Sequence, residues 1–210
     1  MREVAGRNPA GPPDLAGAQL RDRVTGSSLD PTRPLVWRRV MPLVPEFELR
    51  QGNAVFGEME PASQHDAAAT GECLGRSLEL RLETHAFRGI LVESSVTSEG
   101  GPGPRFRGRY FGWGRITTPG GEILRWRHAL TRLYDHILTA PGGVELLRLR
   151  PTFLRFGRTE TRVLVREAGW RRADLAELVI LTWFLRIHTE ARGRRVFKKQ
   201  ERRIPRGAAP

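Results

Sequence analysis

The stretch Asp174–Arg192, DLAELVILTWFLRIHTEAR, decides how this chain folds. At 3.6 residues per turn, Leu178–Leu185 covers two turns, and only Thr182 interrupts an apolar wall. A helix at a protein surface keeps one polar face, so a helix without one must be surrounded by protein or by lipid. Asp174 and Glu177 form a D-x-x-E start and Gly193 a C-terminal stop, which predicts a helix over 174–192. Such a helix is roughly 28 Å long, but its uncharged centre is far shorter than the ~18–20 apolar residues that cross a bilayer. The expectation is a chain wrapped around its own C-terminal helix, with Ile180, Leu181, Phe184 and Leu185 in the core and no transmembrane segment.

What wraps it is written in the preceding residues. From Val36 the sequence breaks into short runs with period-two alternation, separated by Gly and Pro, as strands require. In Ser77–Glu83, Leu78, Leu80 and Leu82 share one face and the charges the other; Leu124, Trp126, His128 and Leu130 alternate in the same way. Pro119-Gly120-Gly121 and Pro141-Gly142-Gly143 each sit between two such runs as hairpin turns. Strands are expected over 36–42, 46–51, 54–60, 77–83, 88–97, 106–113, 115–118, 122–130, 132–139, 144–150, 153–157 and 160–167, with a helix over 128–139 as the alternative for that stretch. About a dozen short strands and one apolar helix read as all-β with one central helix. The architecture expected is a closed antiparallel β-barrel that removes exposed edges and encloses the helix as a plug.

Residues 1–34 contain Pro9, Pro12, Pro13, Pro31 and Pro34 with little apolar periodicity, and read as a disordered leader. The barrel then spans 35–193 with its plug helix at 174–192, and 194–210 forms a basic C-terminal tail. The single cysteine, Cys73, excludes an internal disulfide, and no N-terminal apolar segment resembles a signal peptide, so a cytoplasmic location is expected.

Across 36–192, Phe47-Glu-Leu-Arg-Gln-Gly-Asn53, Arg109-Tyr-Phe-Gly-Trp113 and the closing helix with Trp183-Phe184-Leu185 resemble the layout of the tubby C-terminal-like superfamily. That superfamily also includes the phospholipid scramblases and the LURP-one-related proteins. The resemblance implies a twelve-stranded barrel around a central C-terminal helix, and action at membranes or on phosphoinositide headgroups. The lysine-rich headgroup site of tubby proteins and the acidic calcium segment of scramblases have no matching positions here, so no site residue is carried over.

The chemistry of catalysis and metal binding is missing from the pattern. There is no G-x-S-x-G elbow, no H-E-x-x-H, no phosphate loop with its lysine and no dinucleotide-binding glycine motif, and no enzyme activity is expected. His65, Asp66, Glu72 and Cys73 lie close together in a Gly/Ala-rich stretch without zinc-type spacing, which reads as a solvated loop; no metal or cofactor is expected. His128, Asp135 and His136 are the one conceivable acid–base set, although His128 shares a strand face with Trp126 and reads as a partly buried, hydrogen-bonded residue. His188 reads as the end of the helix, where a histidine complements the dipole.

Charge is the stronger signal. The formal net charge is +12, and residues 186–210 contribute nine Arg/Lys against Glu190 and Glu201, or +7. Within Arg105-Phe-Arg-Gly-Arg-Tyr-Phe-Gly-Trp-Gly-Arg115, strand alternation puts Arg105, Arg107 and Arg109 on one face and Phe106 and Tyr110 on the other. Guanidinium groups two residues apart sit about 7 Å from one another and can engage several phosphate oxygens. Arg125 and Arg127 repeat the spacing, and the tail adds Arg194, Arg195, Lys198, Lys199, Arg202 and Arg203 in pairs four residues apart, which stack along one face if the helix runs on past Gly193 and otherwise form a basic flexible arm. These residues are the expected anion-binding set. The partner expected is an anionic phospholipid surface, met peripherally; a nucleic-acid-associated protein is the alternative reading, and an enzyme with a pocket at the barrel mouth is the third.

Overall fold

The structure, a computed structural model, describes residues 29–40, 46–61, 68–85, 89–97, 101–129, 132–153 and 159–201. Its strands are β1 Leu35–Arg39, β2 Phe47–Gln51, β3 Ala54–Pro61, β4 Ala68–Cys73, β5 Arg76–His85, β6 Gly89–Val96 and the two-residue β7 Gly101–Pro102. They continue as β8 Arg105–Tyr110, β9 Trp113–Thr117, β10 Ile123–Ala129, β11 Arg132–Thr139, β12 Glu145–Phe153 and β13 Thr159–Val165. A four-residue helix, α1 (Glu167–Trp170), leads into α2 (Leu175–Glu201).

All strand pairs are antiparallel, and the order runs β5-β4-β3-β2-β1-β13-β12-β11-β10-β9-β8-β6, with β5 pairing back onto β6. Twelve strands therefore close into a barrel, and β7 adds only a two-residue ladder to β6. Apart from the β13–β1 closure and the β6–β8 step, every neighbour in the ring is also the neighbour in sequence. This is the up-and-down route that short turns enforce.

The register shows which side chains face inward. Leu35 lies opposite Val163, Trp37 opposite both Leu49 and Thr161, Val92 opposite Phe106, Ile116 opposite Leu124 and Trp126 opposite Leu138. The apolar members of these pairs are all buried. Against them lies α2, in which Leu175–Arg186, twelve consecutive residues, are buried on every side. Trp183 stacks on Trp37 of β1 (centroids 5.3 Å apart) and meets Phe47 of β2 edge-on. On β4, a Cβ added to Gly71 would stand 2.7 Å from Ile180 Cγ2, so the wall touches the helix only because that position has no side chain. Thr182, the one polar interruption, donates its hydroxyl to the Leu178 carbonyl at 2.7 Å and needs no partner outside the helix. At the helix start the Asp174 carboxylate accepts a two-pronged bond from Arg172 (2.7 and 2.9 Å), and Arg172 also bridges to Glu122 before β10.

Several expectations need correction. The helix does not stop at Gly193: its backbone continues to Glu201, so His188 lies within it and not at its end. Residues 68–73, expected to be loop, form β4; its buried positions Ala69, Gly71 and Cys73 are small and give little strand signal, and Gly71 lies against Ile180 of α2. The strand expected to end at Arg150 runs on as β12 through Pro151 to Phe153, and the rest of the strand expected at 153–157 lies outside the described residues. Of the expected leader, residues 1–28 lie outside the described residues. Leu29 packs on the core, the Asp30 N–H donates to Gln51 Oε1 at 2.9 Å, and Gln51 Nε2 donates to the carbonyls of Asp30 and Arg33. No described helix is long and apolar enough to cross a membrane.

Candidate functional site

Pairing of β8, β9 and β10 brings the arginines together. Arg107 lies directly opposite Arg115, and Arg115 directly opposite Arg125, so three guanidinium-bearing residues form one row across three adjacent strands. Directly opposed residues have Cβ atoms about 4.5–5.5 Å apart, a distance at which like charges repel and destabilise the ladder. All three are exposed, on the outer face opposite the buried Phe106, Ile116 and Leu124. Arg105 sits on the same face one step away and is paired with Glu93 at 3.2 Å. Arg127 lies beyond Arg125 on the same side of β10, half-buried. Among the described residues, neither Arg107, Arg115 and Arg125 nor Arg109 and Arg127 form an ion pair. The outer wall thus carries a concentration of arginine that no described carboxylate neutralises.

The alternation expected along β8 breaks near its end. The register shifts between Gly108 and Tyr110, so that Tyr110 pairs with Trp113 and Arg109 is the extra residue of a bulge. Tyr110 consequently is not on the face of Phe106: it is 62% exposed, beside Trp113 at 63%. Two aromatics thus stand in water at the β8–β9 turn, beside the arginine row.

The tail residues are placed only in part. Arg194, Arg195, Lys198 and Lys199 fall on the backbone of α2, and Arg202 and Arg203 lie outside the described residues. The helix passes the β8–β9 turn at His188, whose ring stacks on Phe111 (5.1 Å) and meets Phe184 edge-on.

His128, Asp135 and His136 do not assemble into an acid–base set. Successive strand residues point to opposite faces, and Asp135 is turned away from His136 toward Arg150 Nε (3.1 Å) and Arg148 (3.7 Å). His128 and His136 do meet, as a cross-strand pair with ring centroids 4.1 Å apart, and His136 stacks on Trp126 at 5.0 Å. Gly112 permits this: a Cβ there would stand 2.3 Å from His128 Nε2. Burial first, then the Arg186 guanidinium and His128, hold the His136 imidazole down at about 2, against the pull of a backbone contact at Tyr134. Arg186 is itself buried and bonded to Glu190 at 2.6 Å, and burial lowers its pKa. This is a packed histidine pair in which burial keeps His136 neutral.

Among the described residues no three His, Cys, Asp or Glu side chains gather as a metal site. Glu72 and Cys73 belong to β4, with Cys73 fully buried, and His65 and Asp66 lie outside the described residues. Burial, with the charges of Glu177 and Glu72, pushes the Cys73 thiol well up, away from nucleophilic character.

No family model matches this chain, and no curated protein or solved structure shows significant similarity to it.

Sequence reasoning missed Arg115, Tyr110 and Trp113. A signal for Arg115 was present: Arg115 and Arg125 lie five residues either side of Gly120, the centre of the Pro119-Gly120-Gly121 turn, so a tight hairpin there pairs them. Nothing in the alternation announced the bulge that turns Tyr110 outward.

Proposed function

We propose that this protein is a non-enzymatic, tubby-like barrel that attaches peripherally to anionic phospholipid surfaces through the outer face of β8, β9 and β10. In this reading α2 is the axial plug of the barrel. The burial of Leu175–Arg186 on every side and the contacts from β1, β2 and β4 support that placement. A ring of twelve strands is also wider than the eight-stranded barrels that side chains alone can fill.

The observation that carries the functional reading is the row Arg107–Arg115–Arg125, opposed residue to residue and, among the described residues, without a carboxylate to relieve it. Such a row costs stability in the free protein and is offset when phosphate oxygens lie across it, because guanidinium groups bind phosphate with charge-assisted, often bidentate bonds. Near an anionic membrane each basic residue is worth about 1 kcal/mol, so the row contributes on the order of 3 kcal/mol, or about a hundredfold in affinity.

The test is co-sedimentation of the full chain with vesicles of neutral lipid alone and with vesicles containing anionic lipid. Binding is expected only to the anionic vesicles, with release as salt rises from about 0.1 M to about 1 M and the screening length falls from ~10 to ~3 Å. The triple substitution Arg107→Gln, Arg115→Gln, Arg125→Gln should reduce binding by one to two orders of magnitude with no loss of stability. Equal binding to neutral vesicles, or an unchanged triple variant, would overturn the proposal. Preference for single- or double-stranded DNA over anionic vesicles at matched salt would move the assignment to a nucleic-acid partner.

A further inference from the structure

The arginine row leaves the β8–β9 turn unexplained. Tyr110 and Trp113 are cross-strand partners, both more than three-fifths exposed, whereas Trp37, Trp126 and Trp183 are buried and Trp170 is half-buried. From this we infer that Tyr110 and Trp113 are an interfacial anchor. They enter the headgroup layer of an anionic bilayer while the arginines behind them hold lipid phosphates. The inference rests on the membrane reading above and adds the orientation of the barrel on the surface.

The geometry supports a tip-first docking. The Tyr110–Trp113 pair stands at the end of the wall, and the Arg107–Arg115–Arg125 row lies about two residues back along the strands, roughly 7 Å, or ~5 Å along the barrel axis at an ordinary strand tilt. The interfacial layer of one leaflet is about 5–7 Å thick, so rings at its inner edge leave the guanidinium groups within reach of the phosphates. Arg109, the bulged residue beside Tyr110, lies between the two levels. Tyr and Trp suit this position because each joins an apolar ring to a polar handle, the property that concentrates them at membrane–water interfaces. A single-stranded nucleic acid would instead need stacking rings spread along its track, and here both rings occupy one end of the patch. The stacking of His188 on Phe111 places the start of the basic half of α2 at this same end.

Because Trp113 is the one strongly exposed indole among the five tryptophans, the protein carries its own depth probe. The experiment is fluorescence of the full chain on phosphatidylcholine vesicles containing about 30 mol% phosphatidylserine, with and without lipids brominated high on the acyl chain. Quenching by the brominated lipid is expected, and its loss in Trp113→Phe. Trp113→Ala and Tyr110→Ala should each weaken binding severalfold while leaving its salt dependence intact. Salt-sensitive binding with no quenching and unchanged affinity in both alanine variants would overturn the anchor and leave the arginine reading standing. Absence of salt-sensitive binding to these vesicles would overturn both. Tighter binding to a single-stranded oligonucleotide at matched salt, with Trp113 quenched by base stacking, would also overturn both and assign the patch to nucleic acid.

Discussion

Acid should loosen this barrel through one residue. His136 is fully buried, stacked on Trp126, 4.1 Å from the ring of His128, and near the Arg186 guanidinium. Its imidazole is held at about 2 in the folded chain, whereas in the unfolded chain it returns to the ordinary value near 6.5. Below pH 6.5 the unfolded state therefore binds a proton that the folded state refuses, and stability falls as pH falls. The contribution is fully present above pH 7; by pH 5.0 about 2 kcal/mol of it is gone, and each further unit removes about 1.4 kcal/mol until pH approaches 2. For a domain with about 5–15 kcal/mol in total that is a large fraction. The assay is urea unfolding followed by tryptophan fluorescence at pH 7.0, 6.0 and 5.0, a window chosen to lie above most carboxylate titration. His136→Phe keeps a flat ring on Trp126 and removes the proton site, so it should flatten the pH dependence by about 2 kcal/mol between pH 7 and 5, whatever its stability at pH 7. His136→Leu provides a second variant if the phenyl ring packs badly. An undiminished pH dependence in both variants, or an NMR titration of His136 in the folded protein near 6.5, would refute the reasoning.

The remaining expectations concern the core and its thiol. Phe184→Ala removes a side chain that is 1% exposed within α2 and should cost about 3–5 kcal/mol in urea unfolding; a loss below 1 kcal/mol would mean that the site collapses freely. Gly71→Ala drives a methyl group into Ile180 Cγ2 and should destabilise by about 1–3 kcal/mol. Ile180→Ala, which deletes Cγ2, should cost less in the Gly71→Ala chain than in the parent, and strict additivity of the two changes would show that they do not touch. Cys73, fully buried and with its thiolate disfavoured, should resist alkylation in the folded protein and react at the rate of a free thiol in urea; fast native reaction at neutral pH would contradict the burial.

Much of the architecture was legible in the chain. The alternation in Leu78-Glu-Leu-Arg-Leu82 and the Pro-Gly-Gly turns at 119–121 and 141–143 appear where the structure has β5 and the β9–β10 and β11–β12 connections. Two bounds were misjudged: β4 was overlooked, and β12 was ended at Arg150 although it runs on through Pro151 to Phe153. Both errors have the same origin. Strand propensity measures how a side chain suits a pleated, half-buried surface, and it is silent where neighbours override it. Gly71 has no side chain because α2 presses on it, and β12 continues through Pro151 because β13 pairs with it as far as Phe153.

The candidate site divides along the same line. Composition and strand period are local properties, and they were enough to give a basic chain, an apolar helix without a polar face, and arginines spaced for one side of a strand. Register is not local. Whether Arg107, Arg115 and Arg125 stand in one row depends on where two hairpins turn, and a slip of one residue would send alternate side chains to the opposite face. The bulge at Arg109 is such a slip, and it alone puts Tyr110 in water beside Trp113 instead of in the core beside Phe106. The histidine pair was likewise decided by pairing: His128 and His136 are eight residues apart along the chain, and they touch because β10 folds back on β11 with Gly112 leaving room beside them. The sequence determined what each strand could bury, since burial depends on a residue's own side chain. Only the tertiary structure decided which charges and rings became neighbours, since that depends on the closure of the whole ring.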